Sequence, residues 1–305
     1  MPDIFICVWY FIFLYINKMH NMKHLNTYIT EYIIKKKLDK PIDSEDHYKY
    51  FPKTKKELIS NIKTLLDKGE TNLNCIDTSA ITDMSFLFMD VKINNVDVSK
   101  WNVSKVENMY RMFYDCKNLN CNLNNWDVSN VEDMTGMFEY CDNFNCDLSN
   151  WDVSKVENME HMFHYCENFN CDLSNWDVSN VKSMKSMFSE CNKFDSDLSN
   201  WDVSNVTNMD RMFLGCNTFE GKGLENWNVS KVENMVFMFC DCIKFDCDLS
   251  NWDVSNVEDM QNMFEGCKKF EGNGLENWNV SKVKDMNYIF DGCTSLKNKP
   301  SWYKE

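Results

Sequence analysis

The chain has 305 residues, 44% of them hydrophobic, and a formal net charge of −15. That is enough apolar material for a packed interior. The charge is uneven: residues 1–75 carry 12 basic and 9 acidic side chains, the remainder 20 and 38. An acidic array repels phosphate backbones, which excludes nucleic acid as a partner of that larger part.

At the amino terminus, Ile4–Ile16 is an apolar and aromatic run too short for a comfortable membrane span. Asp3 precedes it where an export signal carries Lys or Arg, and no small-x-small cleavage site follows. Three readings stay open: an uncleaved anchor, an atypical export signal, or sequence ahead of a start at Met19 or Met22, the reading we prefer. Segment 1–21 is thus a hydrophobic leader, anchor or mis-assigned start. Leu25, Tyr28, Ile29, Tyr32 and Ile33 then share one face at helical spacing. Lys35–Lys37 suits the end of that helix.

Pro41 to Pro52 reads as a linker. Thr54 and Glu57 form a T-x-x-E capping box, with Leu58, Ile59, Ile62, Leu65 and Leu66 as the apolar face and Gly69 as the stop. This second helix is expected to cap the rest, so residues 22–72 form a helical segment and cap.

From residue 73 to 305 the chain repeats. Tryptophan recurs at Trp101, Trp126, Trp151, Trp176, Trp201, Trp227, Trp252 and Trp278, every 25 residues except for steps of 26 before Trp227 and Trp278. A fixed period of this size means stacked units, each unable to bury its apolar face alone. Leu123-x-x-Trp126-x-Val128 has the form of a leucine-rich-repeat strand, and Ser129 with Glu132 reads as the capped start of a helix. Met134, Met137, Phe138 and Cys141, at i, i+3, i+4 and i+7, make its apolar stripe. The expected fold is therefore α/β, a leucine-rich-repeat-like solenoid. It has about nine 25–26-residue turns, each with a short parallel strand and a short helix, an amino-terminal helical cap, and Pro300–Tyr303 folded over the last turn. The extra residue in the longer turns falls at Gly221/Gly223 and Gly272/Gly274, where glycine allows a wider turn.

Cysteine is the most tempting chemistry. Cys116, Cys141, Cys166, Cys191, Cys216, Cys242, Cys267 and Cys293 share one column, and Cys121, Cys146, Cys171 and Cys247 a second. The first lies on the apolar stripe, which makes buried free thiols the expectation rather than disulfides or a metal centre. Fifteen cysteines fit a reducing compartment. His161 and His164 with Cys166 and Cys171 resemble a metal set, but the histidines occupy positions that vary between turns, so surface residues are expected and neither metal nor cofactor is assigned. The methionine pairs read as core. Nothing assembles for catalysis: there is no G-x-S-x-G, H-E-x-x-H or phosphate-cradling loop.

The strongest candidates are two polar columns expected on the outer side of the strands. Asn125, Asn150, Asn175, Asn200 and Asn251 form one, and Asp127, Asp152, Asp177, Asp202 and Asp253 the next. Like charges at strand spacing cost energy unless cations or partner groups offset them. Solvated structural ladders and recognition of a partner both remain open.

The motif W-D-V-S-N-V-x-x-M-x-x-M-F-x-x-C-x-x-F-N-x-D-L-S-N, repeated from Leu73 to Leu296, resembles the BspA-like leucine-rich-repeat surface proteins, including a repeat module of unknown function in bacterial lipoproteins. The resemblance implies a right-handed repeat stack and, for many relatives, cell-surface adhesion or host contact. It carries no catalytic residues, and this chain lacks a lipobox. The expected function is a non-enzymatic scaffold binding a protein partner through the Asp/Asn face. The alternative is a membrane-tethered adhesin held by Ile4–Ile16. Cysteine content favours the cytoplasm, and the resemblance the cell surface.

Overall fold

The computed structural model describes residues 48–89, 91 and 96–304. The chain divides into two units, Met1–Tyr48 and Lys49–Glu305, and the repeats lie in the second. The leader Ile4–Ile16, the helix expected at Leu25–Ile33 and the linker before residue 48 lie outside the described residues.

Helix α1, Lys55–Leu66, forms where the capping box places it. The Thr54 hydroxyl accepts from the Glu57 N–H at 3.2 Å, and the Glu57 carboxylate reaches back to the Lys53 N–H at 2.6 Å. Leu58, Ile62 and Leu65 join the same core cluster as Leu73 and Ile76, while Ile59 is exposed. Lys55 fastens the helix to the first repeat through Asp83, at 3.1 Å. Among the described residues no helix is long and apolar enough to cross a membrane.

The strand–helix turn does not form. Among the described residues α1 is the one α-helix, alongside two three-residue 3-10 turns at Leu224–Asn226 and Leu275–Asn277. Among the described residues β-pairing is confined to isolated parallel bridges, with one residue per turn running from Asp83 through Asn108, Asp133 and Asn158 to Asp285. The chain is therefore not an α/β leucine-rich-repeat solenoid of nine strand–helix turns.

What replaces that architecture is a train of tight turns, each bonded to the next copy of itself. In the segment expected to be helical, Met137 N–H bonds to Met134 C=O, Glu139 to Gly136 and Cys141 to Phe138, at 3.0–3.1 Å. The intervening amides leave the turn. Met134, Gly136, Phe138 and Tyr140 donate to the carbonyls of Asn158, Glu160, Met162 and His164 in the next repeat, at 2.8–3.2 Å. Alternate groups thus close local turns and cross to the neighbour, which satisfies the buried backbone without helix or sheet.

Two features select this over a helix. Asp133 accepts from the Thr135 N–H at 2.8 Å, and Asn108, Asn158, Asn208, Asn234 and Asp259 make the equivalent bond in their turns. Such Asx turns compete with helical backbone bonding. The backbone then turns left-handed twice, at Gly136 and Tyr140 in this repeat and at His161 and Tyr165 in the next. The apolar stripe is nevertheless as expected: Met134, Met137, Phe138 and Cys141 are fully buried.

The core is a set of columns. Trp126, Trp151 and Trp176 stack with ring centroids 6.5 Å apart and planes within 2°. Phe113, Phe138, Phe163 and Phe188 stack at 5.7 Å beside them. Each indole also donates backwards: Trp151 Nε1 to Leu123 C=O, Trp176 to Leu148 and Trp201 to Leu173, at 3.0–3.1 Å. Trp302 continues the column, stacking on Trp278 at 6.3 Å and donating to Leu275 C=O at 2.7 Å. In the widened turns Gly223 has φ +93, and a Cβ there would sit 2.2 Å from the Ser199 nitrogen, so only glycine fits.

Candidate functional site

All ten of the Asn and Asp residues expected to meet a partner are exposed: Asn125, Asp127, Asn150, Asp152, Asn175, Asp177, Asn200, Asp202, Asn251 and Asp253. They do not stand on strands. Each aspartate closes an Asx turn, with Asp127 Oδ1 accepting from the Ser129 hydroxyl at 2.6 Å and its N–H at 3.2 Å, and Asp152, Asp177, Asp202 and Asp253 accepting from the serine N–H two residues on. These serines serve the turns, and no helix starts at them. Hydrogen bonds from Ser154, Ser204 and Ser255 hold the carboxyls of Asp152, Asp202 and Asp253 below the usual carboxylate range. Three of the asparagines bond from turn to turn, Asn150 to the Asn124 side chain at 2.7 Å, Asn200 to Ser174 C=O at 3.3 Å and Asn251 to Glu225 C=O at 3.2 Å.

A different edge gathers the side chains that change from one repeat to the next. In the motif M-x-x-M-F-x-x-C the four x positions lie on or beside the two left-handed residues. They read Tyr110, Arg111, Tyr114 and Asp115, then Thr135, Gly136, Glu139 and Tyr140, then Glu160, His161, His164 and Tyr165. The Arg111 guanidinium lies 5.0 Å from the Tyr114 ring and 5.5 Å from Tyr110. It reaches across one turn to Glu139 Oε2 at 3.1 Å, and Glu139 Oε1 is 3.3 Å from His164 Nδ1. Tyr140 stacks on Tyr165 at 5.1 Å and meets Tyr114 edge-on at 5.5 Å. Burial, with the Glu139 carboxylate next, raises the Tyr140 phenol, while burial lowers the His161 imidazole.

The chain is matched over residues 56–163, 146–223 and 197–303 by the family described as "Mycoplasma protein of unknown function, DUF285". It belongs to the DUF285 family. The three overlapping matches span the region of repeats, so this is a repeat protein of a family whose function is unknown. Among proteins of curated description there is no match.

In these DUF285 repeats the cysteines are free thiols, as expected for the column from Cys116 to Cys293 on the apolar stripe. Cys141 donates to Phe113 C=O, Cys166 to Phe138 and Cys191 to Phe163, each at 3.0 Å and each reaching one turn back. Burial pushes the Cys116 thiol up to about 12 and those of Cys141 and Cys166 well above their ordinary value. The histidine pair does not gather with Cys166 or Cys171, which donate to Phe138 C=O and Cys146 C=O. It meets Glu139, whose side chain is buried at the corresponding position of the preceding turn. The residues missed from sequence are thus Glu139, Arg111 and the tyrosines. Their signal was their variation within a motif that otherwise repeats.

Proposed function

We propose that this DUF285 chain is a non-enzymatic scaffold that binds a protein partner along the edge of left-handed loops. The observation that carries the reading is the composition of that edge. Tyr110, Arg111, Tyr114, Tyr140, His164 and Tyr165 form a continuous run of ring and cation contacts. Tyr and Arg are the residues that concentrate binding energy in protein interfaces. A rigid stack presenting different side chains at equivalent points is how repeat proteins build recognition surfaces. The Asp/Asn columns offer a second contact face, the aspartate acceptors already engaged in Asx turns.

The test combines a photo-crosslinking residue at Tyr165 with two variants compared against whichever protein it captures. Replacing Tyr114, Tyr140 and Tyr165 by Ala should weaken retention by at least about ten-fold. Reversing Asp152, Asp177 and Asp202 to Lys should change it less. The opposite order moves recognition to the Asp/Asn face, and full retention in both variants removes the scaffold reading. The adhesin alternative draws on the likeness to BspA-like repeats and the apolar run Ile4–Ile16. Protease shaving of intact cells must cut the protein if that reading holds.

A further inference from the structure

We propose that Glu139, His161 and His164 form a zinc site joining two adjacent repeats. The donor atoms, one from each residue, lie within 4.8 Å of one another. Glu139 Oε1 and His164 Nδ1 are already 3.3 Å apart, the separation of two ligands in a tetrahedral zinc shell with bonds of about 2.0–2.1 Å. Glu139 is 4% exposed, and its Oε2 is ion-paired with the Arg111 guanidinium at 3.1 Å without a hydrogen bond, so the buried carboxylate is under-satisfied as well. That arrangement leaves Oε1 to ligate alone and gives the carboxylate the outer partner that orients a metal ligand.

The decisive detail is His161. Its Nδ1 is buried and has no hydrogen-bond partner, a costly state for a polar atom, and its ring packs 5.4 Å from that of His164. A cation between the two imidazoles and the carboxylate would satisfy it. Two histidines and one carboxylate suit zinc, with water as the fourth ligand. The thiols that might compete are occupied, since Cys166 donates to Phe138 C=O and Cys171 to Cys146 C=O. The ion would clamp the turn of Glu139 to the turn of His161 and His164 at the centre of the tyrosine cluster, stiffening that edge. The inference does not depend on any partner binding there.

The chain itself supplies conservative variants. Asn262 occupies the position of His161 in a later turn, and Ser189 the position of His164 in the next. Full-length protein, purified with chelator, is titrated with zinc chloride by calorimetry, and separately with cobalt(II) by absorption. One equivalent is expected to bind, with tetrahedral d–d bands and no sulfur-to-cobalt charge-transfer band. His161→Asn and His164→Ser should each lower zinc affinity by at least about ten-fold. The metal-free melting temperature shows that the variants are folded, and the cobalt spectrum of the unaltered chain stands if they are not. No binding heat, charge-transfer bands from thiolate, or unchanged affinity in either variant overturns the site.

Discussion

Trp151 donates its indole N–H to the main-chain carbonyl of Leu123, 28 residues earlier, at 3.0 Å. The bond ties one turn to the preceding one through the core, where neither strand nor helix does so. Trp151→Phe keeps a ring in the column but leaves that carbonyl without its donor. The orphaned acceptor alone should cost about 1–3 kcal/mol, with a further loss from the smaller ring. Urea denaturation followed by the remaining tryptophans measures it. A cost within a few tenths of a kcal/mol would mean that water reaches the Leu123 carbonyl.

Two kinds of glycine separate backbone freedom from close approach. Gly69, after α1, has φ +77 and open space within 4 Å of where a Cβ would sit, whereas Gly223 has a backbone nitrogen 2.2 Å away. Gly69→Ala should cost about 1–2 kcal/mol for the left-handed conformation alone. Gly223→Ala should cost distinctly more, because Ser199 is backbone and must shift. Equal melting temperatures for the two variants would contradict the packing at the widened turn.

Stability should fall in acid. Desolvation opposes the charged form at Asp97, but the Ser99 hydrogen bonds outweigh it and the carboxyl is lowered. Asp152, Asp202 and Asp253 are lowered by their serines, and Asp197 to about 2 by Lys222 and Ser199. A lowered folded pKa means that the unfolded chain takes up protons first. The contribution is complete above the ordinary value of 3.8 and is lost as pH drops through the folded values towards about 2. Melting temperature against pH should decline slightly as pH falls below 6.5, where burial opposes protonation of His161, and steeply below about pH 4. Serine-to-alanine changes at Ser154, Ser204 and Ser255 together should flatten that decline.

Thiol chemistry reports on the columns. Cys141, Cys166 and Cys216 are fully buried, and burial raises their pKa well above the ordinary value. A thiol reagent at mild alkaline pH should label them only as fast as the molecule opens, while half-buried Cys75 and Cys146 react first. Mapping labelled peptides over time checks the order. Early labelling of Cys166 would place it at the surface.

The period, the core columns, α1 with its cap and the glycine-widened turns were legible because each follows from side-chain size or from one dihedral requirement. The backbone of the turn was not. Spacing of i, i+3, i+4 and i+7 at Met134, Met137, Phe138 and Cys141 is met equally by a helix and by successive three-residue turns. The discriminating residue was Asp133, which recurs as Asp or Asn in most turns just ahead of the apolar stripe. A short polar side chain at that register prefers to bond the amide two residues on. The left-handed positions carried only a broken glycine signal: Gly136, Gly215, Gly266 and Gly292 fill some of them, while Arg111, His161, Tyr140 and Tyr165 fill others. The same blind spot hid the candidate site. Glu139 and His164 are 25 residues apart and meet only because the non-helical turn stacks them in register.

From Asn158 to Cys166 the backbone is a train of turns rather than a helix, and its amides bond to the next repeat because of that. NMR of the deuterated, selectively labelled chain tests it through Cα secondary shifts, backbone couplings and ring contacts. The structure calls for interrupted shifts, left-handed couplings at His161 and Tyr165, and contacts between the Trp151 and Trp176 indoles. An unbroken run of helical shifts from Asn158 to Cys166 would contradict it.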